Sequence, residues 1–279
     1  METFGERLHR AVAVRGPLCV GIDPHPQLLA QWGLPDDVDG LARFTATVVD
    51  ALGDVVAVAK PQSAFFERFG SAGIAVLEST IRQLRDAGVL VLLDVKRGDI
   101  GSTAAAYASA YLDPASPLAA DAVTASPFLG VGALAPMFES AAEHGGGVFV
   151  LALTSNPEGR QVQHARLSDG RTVAQTVIDE ISQLNAGAQP IGSFGLVVGA
   201  TVGDTGHELS NVNGPLLAPG LGEQGGRPED LRTVFGQALS AVLPSYSRQV
   251  LRSGPEVAAL RASAEQTLAK CRAALDPAI

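Results

Sequence analysis

The chain has 279 residues, 46% hydrophobic and 18% charged, enough apolar material for one sizeable core and too much for a disordered chain. Its net charge of −9 argues against nucleic acid or an anionic membrane as the main partner, while a local basic pocket could still hold a small anion. No apolar run approaches the ~20 residues that cross a bilayer.

The opening METFGERLHRAVAVRG carries charge every few residues and lacks an apolar h-region, so a secretory leader is not expected. Cys19 and Cys271 are too far apart in sequence to suggest a disulfide framework or a metal knuckle. They read as thiols in a reducing cytoplasm.

In chain order, a helix is predicted over 3–14, followed by a first strand, LCVGIDP (18–24). A helix over 41–52 leads to VVAVAKPQ (55–62), and one over 72–87 leads to VLVLLDVKRGD (89–99). DAVTASPF (121–128) precedes a helix over 131–144, and GVFVLALTSNP (147–157) precedes one over 171–185. FGLVVGAT (194–201) and PLLAPGLG (215–222) follow as strands six and seven. Pro228, Glu229 and Asp230 open a helix over 228–239. SAVLPSYSR (240–248) is the eighth strand, and Pro255 and Glu256 open a closing helix over 255–274. Short runs that are apolar on both faces belong in a buried parallel sheet. Strand followed by helix, eight times, predicts a (β/α)8 TIM barrel, a single domain over 1–279 with an extra N-terminal helix. An open doubly wound sheet is the alternative.

Such barrels carry their active sites at the C-terminal strand ends. The polar residues there are Asp23; Lys60 and Gln62; Asp94, Lys96 and Asp99; Ser126; Thr154, Ser155 and Asn156; Thr201; Gln224; and Arg248. Within VLLDVKRGDI, Asp94 and Lys96 interrupt an apolar run and, two residues apart, share a strand face about 6–7 Å apart. Lys60 breaks the preceding run, on a strand about 4.8 Å away. Gly98 lets the backbone turn before Asp99. Lys60, Asp94, Lys96 and Asp99 can therefore form one array of alternating charge. A structural ion-pair network at the rim is the plainer reading. Against it, four buried charges converging on one mouth carry desolvation costs of several kcal/mol each and tend to mark perturbed protonation.

Asp-x-Lys-x-x-Asp at 94–99, with Lys60 before it and Gly21-Ile22-Asp23-Pro24 on the first strand, resembles the orotidine 5′-phosphate decarboxylase family. The resemblance extends through KPQSAFFERFG (60–70), DVKRGDIGSTAAAYA (94–108), LALTSNP (151–157) and APGLGEQGG (218–226), and Ser247-Arg248 is similar to the longer-chain, type 2 branch. DxKxxD alone is shared with related sugar-phosphate enzymes. The resemblance implies cofactor-free decarboxylation of orotidine 5′-monophosphate (OMP) to uridine 5′-monophosphate (UMP), the final step of pyrimidine biosynthesis. It makes Lys96 the proton donor to C6 and sets Asp94 beside the substrate carboxylate. It puts Lys60 near the ribose or carboxylate and Asp23 and Gln62 among the substrate contacts, Asp23 on ribose hydroxyls. Asp99, with Ile100 and Thr103, would reach into the neighbouring subunit's site, implying a homodimer with shared active sites. Thr154 and Ser155 would bind the pyrimidine edge, Gln224 would span phosphate and base beside Gly225, and Arg248 would hold the phosphate.

The loop Pro219–Gly226 and Arg248 lie at the last two strands, where barrel phosphate sites often occur; backbone N–H groups of a Gly-rich loop can cradle an anion, and arginine binds phosphate bidentately. Gly220-x-Gly222-x-x-Gly225 also spells GxGxxG. A dinucleotide site is rejected because one strand remains and no acidic residue follows ~20 positions on; a flexible turn stays open. The polar stretch 156–170 reads equally as a lid or as an ordinary excursion.

No histidine has metal-ligand spacing, and His25 is expected to be a bystander. Three alternatives remain. Glu67 could support Mg2+ in a sugar-phosphate decarboxylase or aldolase on the same barrel. Lys96 could form a Schiff base, although flanking carboxylates should keep it protonated. The barrel could also bind nucleotides without turnover.

Overall fold

The computed structural model describes residues 1–223 and 225–276. Eight parallel strands close into a barrel in sequence order. They are β1 (Cys19–Ile22), β2 (Val58–Pro61), β3 (Leu90–Arg97), β4 (Ala122–Ala125), β5 (Gly147–Leu153), β6 (Phe194–Val198), β7 (Leu216–Ala218) and β8 (Val242–Tyr246). Each lies inside a predicted run, and β1 pairs with both β2 and β8 to close the ring. The (β/α)8 expectation holds and the open-sheet alternative does not.

The helices are α1 (Phe4–Arg15), α2 (Pro26–Gln31), α3 (Val38–Leu52), α4 (Ala64–Glu67), α5 (Gly70–Asp86), α6 (Gly101–Leu112), α7 (Ala135–His144), α8 (Arg160–Gln163), α9 (Val173–Leu184), α10 (Asp230–Phe235), α11 (Arg248–Leu251) and α12 (Val257–Leu275). Their apolar faces explain their seats. In α3, Leu41, Phe44, Val48 and Leu52 recur at helical spacing and are all buried, each contributing about 1.5–3 kcal/mol by burial.

The strict alternation of strand and helix fails once. Between β6 and β7, among the described residues, there is no helix. The sequence there, GATVGDTGHELSNVNGP, has four glycines and no 3.6-residue apolar period, so turns win. The helix predicted over 228–239 also breaks: α10 stops at Phe235, Gly236 takes φ +48, and a 3-10 turn continues over Gly236–Ala241.

Two buried clusters result. The larger lies between sheet and helices. The smaller fills the barrel axis, drawing Cys19, Val58, Leu92, Ala122, Phe149, Val197, Leu217 and Leu243 from the eight strands. Phe4 and Leu8 of α1 close this second core from the N-terminal end, with the Phe4 ring edge-on to Phe149 at 5.9 Å. A capping box between Thr3 and Glu6 starts α1 there. The extra N-terminal helix is thus a plug, and the opposite end is left open.

Candidate active site

The open end holds a cavity of about 360 Å3. Asp23, Lys60, Gln62, Asp94, Lys96, Thr154, Ser155 and Arg248 all line it, so eight of the thirteen predicted site residues come together.

Asp94 is the centre. Its backbone belongs to a regular ladder, Leu92 opposite Ala122 and Leu93 opposite Val123, but the next partners are Arg97 and Ala125. Four residue steps on β3 therefore match two on β4, a bulge. Inside it Lys96 adopts φ +46, a left-handed conformation that costs a non-glycine residue about 1–2 kcal/mol. Simple alternation predicts that Asp94 and Lys96 share a face at 6–7 Å. The two side chains do meet: Lys96 Nζ donates to Asp94 Oδ1 at 2.6 Å. Lys60 Nζ donates to Oδ2 at 3.1 Å, and the Thr124 hydroxyl donates to Oδ1 at 2.8 Å.

Burial differs sharply across the array. The side chains of Asp94 and Lys60 are 7% and 8% exposed, while that of Lys96 is 45% exposed. Burial alone would push the Asp94 carboxyl up. Lys60, Lys96 and the bonds from Lys96 and Thr124 outweigh it and hold the carboxyl well below the usual range. Burial likewise disfavours charge on Lys60, but Asp94 and then Asp23 overcome it and hold the ammonium above its ordinary value. All of this fixes a salt-bridged array in its charged form, facing solvent only through Lys96.

Asp23, just past β1, is buried, and among the described residues neither its Oδ1 nor the buried Ser247 Oγ has a hydrogen-bond partner. An unsatisfied buried polar group costs about 1–3 kcal/mol, so this wall is built for a hydrogen-bonding ligand. Gly21 makes the close packing possible: a Cβ there would sit 2.9 Å from Ser247 Cβ and 3.1 Å from Asp23 Oδ2. Arg248 opens α11 and faces Glu223 at 3.5 Å, while Arg252 pairs with the same carboxylate at 2.5 Å. Leu151, Val197 and Leu217 supply an apolar floor. A cavity of apolar floor, charged wall and cationic rim suits a flat polar ring carrying anionic groups.

The remaining predicted residues lie elsewhere. Asp99 does not line the cavity; its Oδ1 accepts the Ile100 N–H at 2.8 Å. The four-charge array is therefore a three-charge array within one chain. Ile100 is 62% exposed and Thr103 is exposed on α6. Gly98 is required for space rather than for a turn, because a Cβ would stand 2.3 Å from Ser126 O. Gly225 does not reach this lining either, and its N–H is donated to Gly222 O at 2.9 Å. The N–H groups of Gly222 and Gly226 are also spent inside the loop. The anion-cradling role expected of those three amides therefore gives way to loop closure. Gln224 lies outside the described residues. The 156–170 stretch folds as a short 3-10 turn and α8 beside the mouth, and its Gln163 clasps Thr154 through paired bonds of 3.0 and 2.7 Å.

Among the lining residues that went unpredicted as substrate contacts are Thr124, Glu223, Ser245 and Ser247. A threonine inside an apolar strand is ordinary sequence, and nothing local marks it. His25, expected to be a bystander, also lines the cavity, its ring 4.3 Å from Phe65; burial holds its pKa down. Glu67, the carboxylate a metal-dependent relative would use, is taken instead by Ser63 Oγ and Arg97, each at 2.6 Å.

Fold and site together define a TIM-barrel enzyme of phosphorylated-ring or sugar-phosphate chemistry, with a Lys–Asp–Lys array at the strand ends. The chain belongs to the orotidine 5′-phosphate decarboxylase / HUMPS family, whose model matches residues 16–263. It is 78% identical to the orotidine 5′-phosphate decarboxylase of Salinispora arenicola over 99% of both chains. It is 59% identical to that of Streptomyces coelicolor, again over 99% of both. Among solved structures, the OMP decarboxylase of Leishmania donovani superposes with a TM-score of 0.79 at 30% identity, covering 99% of this chain and 100% of the other. A crystal structure from Streptomyces avermitilis superposes at 0.97 with 60% identity, covering 99% and 97%.

Proposed function

We propose that the protein decarboxylates OMP to UMP and that the Lys60–Asp94–Lys96 array performs the chemistry without a cofactor. The single observation that carries this reading is Asp94, buried and ionised between two ammonium groups at the mouth of a family-matched barrel.

The C6–carboxylate bond breaks, CO2 leaves, and the bonding pair remains on C6. Lys96, the exposed member of the array, supplies a fixed positive charge as that carbanion forms and then gives C6 a proton. Water returns the proton to the lysine. Asp94 would stand beside the departing carboxylate, with its own charge already bound by Lys60 and Lys96. The array is net positive before substrate arrives, so a carboxylate can enter without facing a bare anion. The reaction then moves negative charge towards Lys96. Because these dipoles and charges are preorganised, little solvent reorganisation accompanies the step.

Asp23 Oδ1, lacking a partner, would accept from ribose hydroxyls, with Gln62 beside it. Thr154 and Ser155 would meet the pyrimidine edge. Arg248 would hold the phosphate. Phosphate binding remote from C6 can be used to organise the transition state.

Asp99, Ile100 and Thr103 line no part of this chain's cavity, yet belong to the same motif as Lys96. Their exposure beside the mouth, together with Phe128 at 77% exposed, supports a homodimer in which they complete the partner's site. No helix among the described residues is long and apolar enough to cross a membrane. Two buried, unpaired thiols and an acidic surface support a cytoplasmic enzyme that acts on a small nucleotide rather than on nucleic acid.

The test is the absorbance change of OMP with purified protein in EDTA. Conversion to UMP by the wild type, lost by more than about 10^3-fold in Lys96→Ala, is expected if general acid and electrostatic terms both reside there. Absence of conversion, with activity restored by Mg2+ on a sugar phosphate, would overturn it.

A further inference from the structure

Thr124, on β4, has its side chain buried among the charges. Its hydroxyl makes two bonds with opposite sense. The Lys96 backbone N–H donates to Thr124 Oγ1 at 2.9 Å, and Oγ1 donates to Asp94 Oδ1 at 2.8 Å. The directions are forced: an amide can only donate, and an ionised carboxylate can only accept. Lys96 Nζ donates to that same Oδ1 at 2.6 Å. A ring closes, running from the Lys96 backbone through Thr124 and Asp94 to the Lys96 ammonium.

The bulge explains why a side chain is needed at this point. With four steps on β3 facing two on β4, the ladder cannot receive every amide of the bulged strand. Lys96, at φ +46, is the residue thrown out of register, and the threonine hydroxyl takes the place of the missing carbonyl acceptor. A residue held in a sparsely populated conformation persists only when its surroundings over-determine it.

We infer that Thr124 is a positioning residue for the decarboxylation, holding the Lys96 backbone in its left-handed turn and the Asp94 carboxylate in its rotamer, so that the ammonium is aimed before substrate binds. The inference rests on the proposed reaction, and deepens it by adding a group that need not touch substrate. A purely structural hydroxyl, satisfying a bulge amide and no more, is the competing account.

Four proteins separate the two: wild type, Thr124→Val, Thr124→Ser and Thr124→Ala, each assayed for OMP turnover, UMP affinity and thermal unfolding. Wild-type turnover tests the reaction itself, and its absence would remove the reading beneath the inference rather than the inference alone. Given turnover, Thr124→Val should lose about 10- to 100-fold in kcat, the range expected when a catalytic group is misaimed by a fraction of an ångström. KM for OMP and the dissociation constant of UMP should stay within about 3-fold, because Arg248, Thr154 and Ser155 are untouched. Thr124→Ser should recover to within about 3-fold of wild type. The Val variant should also shift the acid limb of kcat upward, because Asp94 loses one donor to its ionised form. Lys60 on β2 and Lys96 on β3 still face Asp94, with Asp23 beyond Lys60, so the shift is partial.

If Thr124→Val unfolds, the Ser and Ala variants decide, since they differ by one hydroxyl oxygen. Equal kcat in those two, or a Val variant that loses only thermal stability while keeping kcat and the acid limb, would overturn the assignment.

Discussion

Replacing Asp94 by Asn keeps the shape but removes the charge that two ammonium groups share and turns one acceptor oxygen into an amide donor. Lys60 decides the size of the effect. Its side chain is 8% exposed and its Nζ lies 3.1 Å from Oδ2. At an effective dielectric near 20, a unit pair at that distance is worth about 5 kcal/mol before desolvation is subtracted. Lys96, at 45% exposure, is largely screened and adds little. Stranding a buried charge by removing its partner typically costs 3–5 kcal/mol. At about 2–4 °C per kcal/mol, Asp94→Asn should melt at least 6 °C below the wild type at pH 7. Decarboxylation should fall below about 10^-3 of wild type, the combined loss of aimed proton and charge stabilisation. The pH dependence follows from the depressed carboxyl pKa. A lowered folded-state value means the stabilisation is complete above the unfolded carboxylate pKa, begins to fade below about 4, and is lost as pH falls through the folded value. The raised ammonium of Lys60 keeps its contribution through neutral pH and loses it only as pH rises above the ordinary lysine range. The gap between wild type and variant should therefore be flat from about pH 5 to pH 9 and narrow progressively below about pH 4. A variant that melts within 1 °C of wild type at pH 7, or a gap that widens on acidification, would refute the burial argument.

Arg248→Ala should raise KM for OMP and lower kcat/KM by roughly 10- to 150-fold, the equivalent of one charge-assisted hydrogen bond of about 1.5–3 kcal/mol; an unchanged kcat/KM would take the phosphate away from that rim. Asp99→Ala and Lys96→Ala, each inactive alone, should regain part of the wild-type activity when mixed and allowed to exchange subunits. No recovery, with mixed dimers present by mass spectrometry, would count against a site shared between chains.

The barrel was legible because its information is periodic. Eight short apolar runs separated by helical stretches leave few other ways to bury both faces of each strand. Asp23, Lys60, Asp94 and Lys96 were legible for the converse reason, since a charge inside an apolar run has to be explained. What escaped depends on distance in space rather than on composition. Thr124 looks like any strand threonine until the β3 bulge brings the Lys96 amide to it. Gly225 matches a phosphate-loop pattern, yet only the folded loop shows its N–H spent on Gly222 O. A helix before β7 was inferred from the rhythm of its neighbours, although residues 199–215 lack the apolar period that would build one. Asp99, Ile100 and Thr103 are prominent in the motif and absent from this cavity.

One carboxylate divides the labour of the site. Oδ2 faces Lys60, buried and held charged by Asp94 and Asp23, a cation too enclosed to deliver protons freely to a ligand. Oδ1 faces Lys96, which stands half in solvent. The β3 bulge carries Lys96, whose ammonium lies 2.6 Å from Asp94 Oδ1, at the cost of a left-handed lysine and a backbone amide whose acceptor is a side chain. The barrel core can absorb that local cost, because the eight strands and the plug formed by Phe4 and Leu8 are complete without those two residues. Strain concentrated at the C-terminal end of one strand therefore accompanies the Lys96–Asp94 contact while leaving the packing of the core intact.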